Sequence, residues 1–149
     1  MKRNNMVILM TLIIASTICS CKVFNKPKVE NNGSISTSSL NGKWELNYIS
    51  GVRIAFNGLY PNAKPEITFD TVANEIQGNT SCNGFRSKIT ISGNNLTIAE
   101  PGPMTMRYCE GGGEKNFLDM LKKVTNYNVS DSTLTFIQGD IAVMRFTKK

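Results

Sequence analysis

The chain has 149 residues, contains no histidine, and carries 17 Lys and Arg residues against 11 Asp and Glu residues, a formal charge of +6. Without histidine it lacks the usual general base, a Ser-His-Asp triad and imidazole ligands for zinc, so we expect a non-enzymatic protein with no metal and no cofactor. The basic residues are dispersed and do not line one helix face, so we expect no nucleic-acid partner.

Residues 1–20 have the pattern of a signal peptide. Lys2 and Arg3 provide a positive start, and an apolar stretch over residues 6–14 follows. This stretch is far shorter than the roughly 20 residues that a membrane-spanning helix needs. The sequence Ile18-Cys19-Ser20-Cys21 resembles the bacterial lipobox, which predicts cleavage before Cys21 and acylation of this cysteine, palmitate included. An ordinary signal peptide that is cut nearby is the alternative.

Acylation of Cys21 would anchor the protein in a membrane of the bacterial cell envelope. Lys22 follows the anchor, where retention in the inner membrane usually calls for Asp, so we expect the outer membrane. Residues 21–39 are rich in Asn, Ser, Lys and Gly and have no sustained apolar period, which predicts a flexible tether. Residues 40–149 then form a single folded domain of ordinary size.

Alternating polar and apolar residues and many β-branched residues predict a series of short strands in this domain. The first covers residues 43–49 and ends at Ser50-Gly51, and we expect its Trp44 to be buried. Further strands are predicted, with turn signals between several of them, at residues 66–69, 72–77, 88–91, 96–98, 127–129, 134–137 and 141–146.

One segment changes to the period of a helix. Phe117, Met120, Leu121 and Val124 lie at i, i+3, i+4 and i+7, which predicts an amphipathic helix of roughly three turns. Glu114 falls near its N-terminus, where the helix dipole favours an acidic residue. Together the elements predict an α+β fold: a curved antiparallel sheet of several short strands with one main amphipathic helix packed on its open face.

Two cysteines, Cys82 and Cys109, remain after removal of the signal peptide and lipidation of Cys21. Disulfides persist outside the cytoplasm, so we expect these two cysteines to be paired. Free thiols for metal binding or redox chemistry are the alternative. The absence of histidine and of a Cys-x-x-Cys motif disfavours that alternative.

Three segments agree in order and spacing with the motifs of a known family. Residues 40–46 fit L-x-G-x-W-x-L. Residues 78–85 fit G-x-x-G-C-N-x-[YF], with Ser81 where glycine is usual. Residues 105–109 fit T-x-M-A-C, with Arg107 and Tyr108 in place of Met and Ala. In these segments the chain resembles the META domain, the family that includes the heat-shock protein HslJ.

The resemblance implies a small α+β fold of bacterial envelope proteins, often lipoproteins, with no agreed catalytic residues and no cofactor. Its members are linked loosely to heat shock, envelope stress and drug tolerance. We therefore expect an envelope lipoprotein that acts in the stress response or binds other envelope proteins. The alternative is a small-ligand-binding module with a polar pocket near Cys82 and Cys109, lined by Thr80, Ser81, Asn83, Thr105 and Arg107.

The same central segment also makes sense without any ligand. Asn83 and Gly84 tolerate a left-handed backbone, which suits a tight turn. The Asn83 side chain can in addition hydrogen-bond nearby backbone and hold this turn beside the cysteines. A purely structural role for the segment therefore stays open beside the ligand-binding hypothesis.

Overall fold

The structure, a computed structural model, describes residues 37–149. The predicted signal peptide (1–20), Cys21 and most of the tether (21–39) lie outside the described residues. None of the helices in the described part is long and apolar enough to cross a membrane. The elements are a 3-10 helix Thr37–Leu40, β1 Gly42–Ile49, α1 Phe56–Leu59, β2 Glu66–Asp70, β3 Glu75–Asn79, β4 Gly84–Ser92, β5 Asn95–Ile98, α2 Gly113–Leu121, β6 Asn126–Ser130, β7 Thr133–Gln138 and β8 Ile141–Lys148.

The eight strands form a closed antiparallel barrel. Each strand pairs with its neighbour in sequence, and β8 pairs back to β1, with Leu46 opposite Phe146. Alternate side chains point inward, as the barrel geometry requires, and fill the interior. Trp44 is fully buried and its Nε1 donates to the Leu40 carbonyl oxygen at 2.7 Å. Other large buried side chains are Ile67, Ile76, Phe85, Leu96, Tyr127, Leu134, Phe136 and Phe146.

The predicted α+β fold class is therefore wrong. Within residues 37–149 the sheet has no open face for a helix to cover, because β1 and β8 close it. The helix α2 is also short, with nine residues from Gly113 to Leu121, and Val124 lies beyond its end. Alternation and turn signals report each strand locally. They do not report whether the last strand returns to the first, and closure depends on that pairing alone.

The helix α2 lies at the barrel end where β1 ends and β4 begins. Phe117 packs edge-on against Phe85, with ring centroids 5.7 Å apart. Met120 lies beside the end of β1, with its sulfur 4.0 Å from the Ser50 Oγ. Phe117 and Leu121 are buried, as the helical period predicts, so α2 plugs one end of the barrel.

The predicted strand 72–77 begins too early. Val72 lies in a turn, is 91% exposed, and precedes β3, which begins at Glu75. The Asp70 carboxylate accepts hydrogen bonds from the backbone N–H groups of Val72 and Ala73. An Asp that binds the backbone two and three residues on is typical of a turn, so this side chain keeps Val72 out of the strand.

Gly78 in β3 lies where no side chain fits. A Cβ atom at this position would stand 2.0 Å from the carbonyl oxygen of Glu66 on β2. Gly78→Ala should therefore lower the free energy of unfolding by about 1–3 kcal/mol, because the paired backbone must move. Gly84→Ala is the matched control, since its nearest atom lies 3.8 Å away. Urea unfolding of both variants checks this, and equal midpoints would contradict the close approach.

Candidate functional site

The turn between β3 and β4 lies at the barrel end plugged by α2. The Thr80 N–H donates to the Asn83 carbonyl oxygen at 2.9 Å, and the Asn83 N–H donates to Thr80 Oγ1 at 2.9 Å. The Thr80 hydroxyl donates to the Glu114 carboxylate at 2.5 Å. Thr80 and Asn83 are 0% and 2% exposed. A buried hydrogen-bonded turn is thus joined to the first turn of α2.

The Asn83 side chain binds the loop that leads to α2. Its Oδ1 accepts from Thr105 Oγ1 at 2.9 Å and from the Arg107 N–H at 2.8 Å. Its Nδ2 donates to the Arg107 carbonyl oxygen at 2.8 Å and to the Glu114 carboxylate at 3.0 Å. An amide offers two donors and one oxygen acceptor, so every polar atom of this side chain is used within the protein.

Cys82 and Cys109 form a disulfide, with Cα atoms 6.1 Å apart. The predicted pairing is confirmed, and the alternative of free thiols is not what the structure holds. The bond attaches the loop to the turn only two residues beyond Arg107, whose backbone binds Asn83. We define residues 105–109 as the clamped loop, because Asn83 and the disulfide hold it at two nearby points.

The left-handed residue of the turn is Ser81, with φ of +84°. This is the position where the resemblance leads one to expect glycine. Asn83 and Gly84, which tolerate a left-handed backbone, do not adopt it here. Both backbone polar groups of Asn83 bind Thr80, and Gly84 already begins the extended strand β4.

Ser81→Gly should stabilise the protein. A residue with a Cβ pays on the order of 1–2 kcal/mol for a left-handed backbone, and the extra entropy of glycine offsets about half of that. We expect the free energy of unfolding to rise by about 0.5–1 kcal/mol in urea unfolding. Ser92→Gly, in a strand at ordinary φ, is the control and should lower it. Destabilisation by Ser81→Gly would show that the serine side chain has stabilising contacts.

Ser81, Cys82 and Arg107 line two clefts on the outside of this turn. The first has a volume of about 420 Å³ and is also lined by Pro61, Tyr108 and Glu110. The second has a volume of about 460 Å³ and is also lined by Glu45, Lys64, Glu66 and Asn79. Two of the five predicted ligand-binding residues, Ser81 and Arg107, therefore reach both clefts.

The other three predicted ligand-binding residues are placed differently. Thr80 and Asn83 are buried in the hydrogen-bond network. Thr105 binds Asn83 and the Gly84 N–H, and it borders a separate groove of about 480 Å³ along the barrel wall. The structure brings all five residues near the disulfide without gathering their polar atoms in one pocket.

The clamped loop displays two large side chains that the sequence analysis did not single out. Met106 is 96% exposed and Tyr108 is 87% exposed. They flank Arg107, whose backbone faces Asn83, so they project away from the barrel. The spacing could have indicated this, because Thr105, Arg107 and Cys109 alternate with them and are the attached positions.

The segment around α1 fixes the start of α2 on the other side. The Tyr60 hydroxyl donates to the Gly113 carbonyl oxygen at 3.1 Å, and burial raises the pKa of Tyr60. A Cβ at Gly113 would lie 2.5 Å from the Leu59 carbonyl oxygen, so this approach requires glycine. Among residues 37–149, no three His, Cys, Asp or Glu side chains gather into a group that could hold a metal ion.

Comparisons with known proteins identify the family from the sequence and the architecture from solved structures. The family model described as the META domain matches residues 37–149. An NMR structure of a protein from Burkholderia xenovorans aligns with a TM-score of 0.59 and 17% identity, over 75% of this chain and 85% of that one. A crystal structure of a DUF4847 family protein from Bacteroides vulgatus aligns with a TM-score of 0.52 and 14% identity, over 72% and 92%. At such identities the structural likeness shows the fold alone. No curated protein matches the chain.

Proposed function

Because the chain belongs to the META domain family, we propose that it is a non-enzymatic lipoprotein of the bacterial cell envelope that binds another envelope protein through its clamped loop. The observation that carries this proposal is the exposure of Met106 and Tyr108 on a segment held at two points. A role in envelope stress tolerance, which the family suggests, would be exerted through that partner.

The exposed residues are of the types that dominate protein interfaces. Tyr, Met and Arg are enriched at interface cores, and Tyr and Arg are frequent among the residues with the largest effect on binding. A fixed loop also loses little conformational entropy on binding, which favours affinity. Met106, Arg107 and Tyr108 combine both properties at one end of the barrel.

Affinity capture of the full chain from its native membrane tests the loop. We expect the joint substitution of Met106→Ser and Tyr108→Ser to reduce recovery of the partner at least tenfold, as quantified by mass spectrometry. Val72→Ser is the matched control, because Val72 is 91% exposed in the turn between β2 and β3, at the opposite end of the barrel. Equal recovery with all three chains would contradict the proposal.

The stress role has its own test. A strain without the protein should survive heat or envelope-directed antibiotics less well. We expect the native chain and Val72→Ser to restore survival, and the chain with Met106→Ser and Tyr108→Ser to fail. Full rescue by the loop variant would show that the stress role does not depend on Met106 and Tyr108.

The anchor proposal rests on the lipobox around Cys21 and on Lys22 after it. Cys21→Ser should leave an unprocessed precursor that incorporates no labelled fatty acid, whereas the native chain is labelled and sediments with the outer membrane. Undiminished label on the variant would reject lipidation at Cys21. Sedimentation of the native chain with the inner membrane would reject only the outer-membrane placement.

A small-ligand-binding module is the second candidate function. The observation that favours it is that Ser81 and Arg107 both line the two clefts beside the disulfide. Thr80 and Asn83 weigh against it, because their polar atoms are already hydrogen-bonded within the protein. Protein binding is therefore the better supported function, because it accounts for the exposed Met106 and Tyr108, whereas two of the five ligand-binding candidates are buried.

A further inference from the structure

The two cysteines of the disulfide differ in their access to solvent. Cys109 is exposed, whereas Cys82 is only 7% exposed. Both line the 420 Å³ cleft, so a solute can reach the bond through that cleft. A thiolate attacks one sulfur of a disulfide and displaces the other, at a rate that depends on access to the attacked sulfur. Access therefore favours attack at Cys109 and departure of Cys82.

The charges that line this cleft do not change that preference. Arg107 is the cation among the lining residues, and Glu110 and Glu114 are the carboxylates. The Glu114 carboxylate accepts hydrogen bonds from Thr80 and Asn83. The cleft therefore gives an incoming thiolate no net attraction, and solvent access is the property that distinguishes the two sulfur atoms.

A released Cys82 has a hydrogen-bond partner in place. The Arg107 carbonyl oxygen lies 3.3 Å from the Cys82 Sγ, so the thiol S–H can donate to this oxygen without movement of the turn. Asn83 binds both the N–H and the carbonyl oxygen of Arg107, which keeps that oxygen in position when the disulfide opens. Cys82 thus stays buried and close to Cys109, where it can form the bond again.

The chain after Cys109 can accommodate a group bound to this sulfur. Gly111 and Gly112, with φ of +92° and +68°, separate Cys109 from α2. Glycine adopts both left-handed and right-handed backbone conformations at low cost, so this connection can rearrange. The start of α2 is held independently by the hydrogen bond from the Tyr60 hydroxyl to the Gly113 carbonyl oxygen. Cys109 can therefore move without displacing the helix.

We propose that Cys109 is a site of thiol–disulfide exchange in the folded protein, with the thiol of a small molecule or of another protein as the reagent. The external thiolate forms a bond to the Cys109 Sγ while the bond between Cys82 and Cys109 breaks. The electron pair of that bond goes to the Cys82 Sγ, which takes up a proton from water. The external thiol is oxidised and Cys82 is reduced, so no further reagent is needed. This reactivity goes beyond the partner binding proposed above and does not depend on it.

Peptide mapping tests which sulfur is attacked. The full chain in neutral detergent is treated with glutathione, blocked with N-ethylmaleimide and digested with trypsin, and cleavage after Arg86 and Arg107 places the two cysteines in separate peptides. We expect at least tenfold more glutathione on Cys109 than on Cys82. Equal amounts, or more on Cys82, would overturn the inference.

The dependence of the rate on urea tests whether the folded protein reacts. A disulfide that is reached only after global unfolding is reduced faster as urea lowers the free energy of unfolding. Exchange at the exposed Cys109 needs no unfolding, so we expect the rate with glutathione to change less than twofold at urea concentrations below the unfolding transition. A rate that rises in parallel with the unfolded population would reduce the bond to a purely structural one.

Cys82→Ala and Cys109→Ala are a matched pair, because each leaves one thiol of the bond. Oxidised glutathione should react with the Cys109 thiol in the first variant at least tenfold faster than with the Cys82 thiol in the second. Near-ultraviolet circular dichroism verifies that both variants are folded. Similar rates would contradict the difference in access.

A second reagent identifies the source of the thiol. Reduced thioredoxin without its resolving cysteine is compared with glutathione at the same thiol concentration, and its mixed disulfide is mapped in the same way. Exchange with glutathione shows that a small thiol is sufficient, and exchange with thioredoxin alone identifies a protein thiol. Exchange with neither reagent in the folded protein would overturn the inference.

Discussion

Removing the Cys82–Cys109 disulfide should lower the free energy of unfolding by about 3–4 kcal/mol, because the bond closes a loop between positions 27 apart in sequence. The cross-link restricts the unfolded chain, and a loop of this length places the loss in that range. Cys109→Ala, or reduction of the native protein, should lower the melting temperature by at least about 10 °C. Calorimetry with and without dithiothreitol measures the change.

The reduced native protein and the Cys109→Ala variant each serve as a control for the other. Cys109→Ala already lacks the bond, so dithiothreitol should not lower its melting temperature further. If native protein keeps its melting temperature after complete reduction, verified by thiol titration, the bond exists in the untreated protein but does not stabilise it. Two titratable thiols in the untreated domain would reject the bond itself.

Asn83→Ala should lower the free energy of unfolding by about 3 kcal/mol or more, which is a large effect for one uncharged side chain. The substitution deprives the Arg107 N–H and carbonyl, the Thr105 hydroxyl and the Glu114 carboxylate of a partner. A buried polar group left without a partner costs about 1–3 kcal/mol. These four groups are part-buried, so water replaces some of the lost bonds and the sum stays near the lower end of that range per group. Urea unfolding measures the loss.

Asn62→Ala is the matched control, since Asn62 is exposed at the same barrel end. It should change the free energy of unfolding by less than about 0.5 kcal/mol. The effects of Asn83→Ala and Cys109→Ala should also be non-additive, because both substitutions release the same loop. A loss below about 1 kcal/mol for Asn83→Ala would mean that the network is dispensable.

Local patterns predicted the strands well where the backbone is regular. Trp44 and Leu46 are buried on β1, as alternation requires. Tyr48 should share their side but is 39% exposed, because the register of β1 against β8 shifts between Leu46 and Tyr48. A bulge of this kind depends on the partner strand, and the closure of the barrel depends on the same partner, so neither could be inferred from local alternation.

Only part of the site could be predicted, because its remaining contacts join residues that are distant in sequence. The cysteine pair followed from their number and the expected compartment. That Asn83 binds backbone was also predictable, but its partners at Thr105 and Arg107 lie more than twenty positions away. Glu114 was assigned to the helix dipole, and its bonds to Thr80 and Asn83 could not be inferred without the fold.

We expect Asn83 and the disulfide to hold the clamped loop rigid, so that Met106 and Tyr108 form a fixed binding surface. The most direct measurement is ¹⁵N relaxation of the backbone amides of these two residues in the oxidised protein. We predict order parameters of about 0.85, equal to those of the strand β7. Values below about 0.6 for Met106 and Tyr108, with β7 rigid, would contradict the claim.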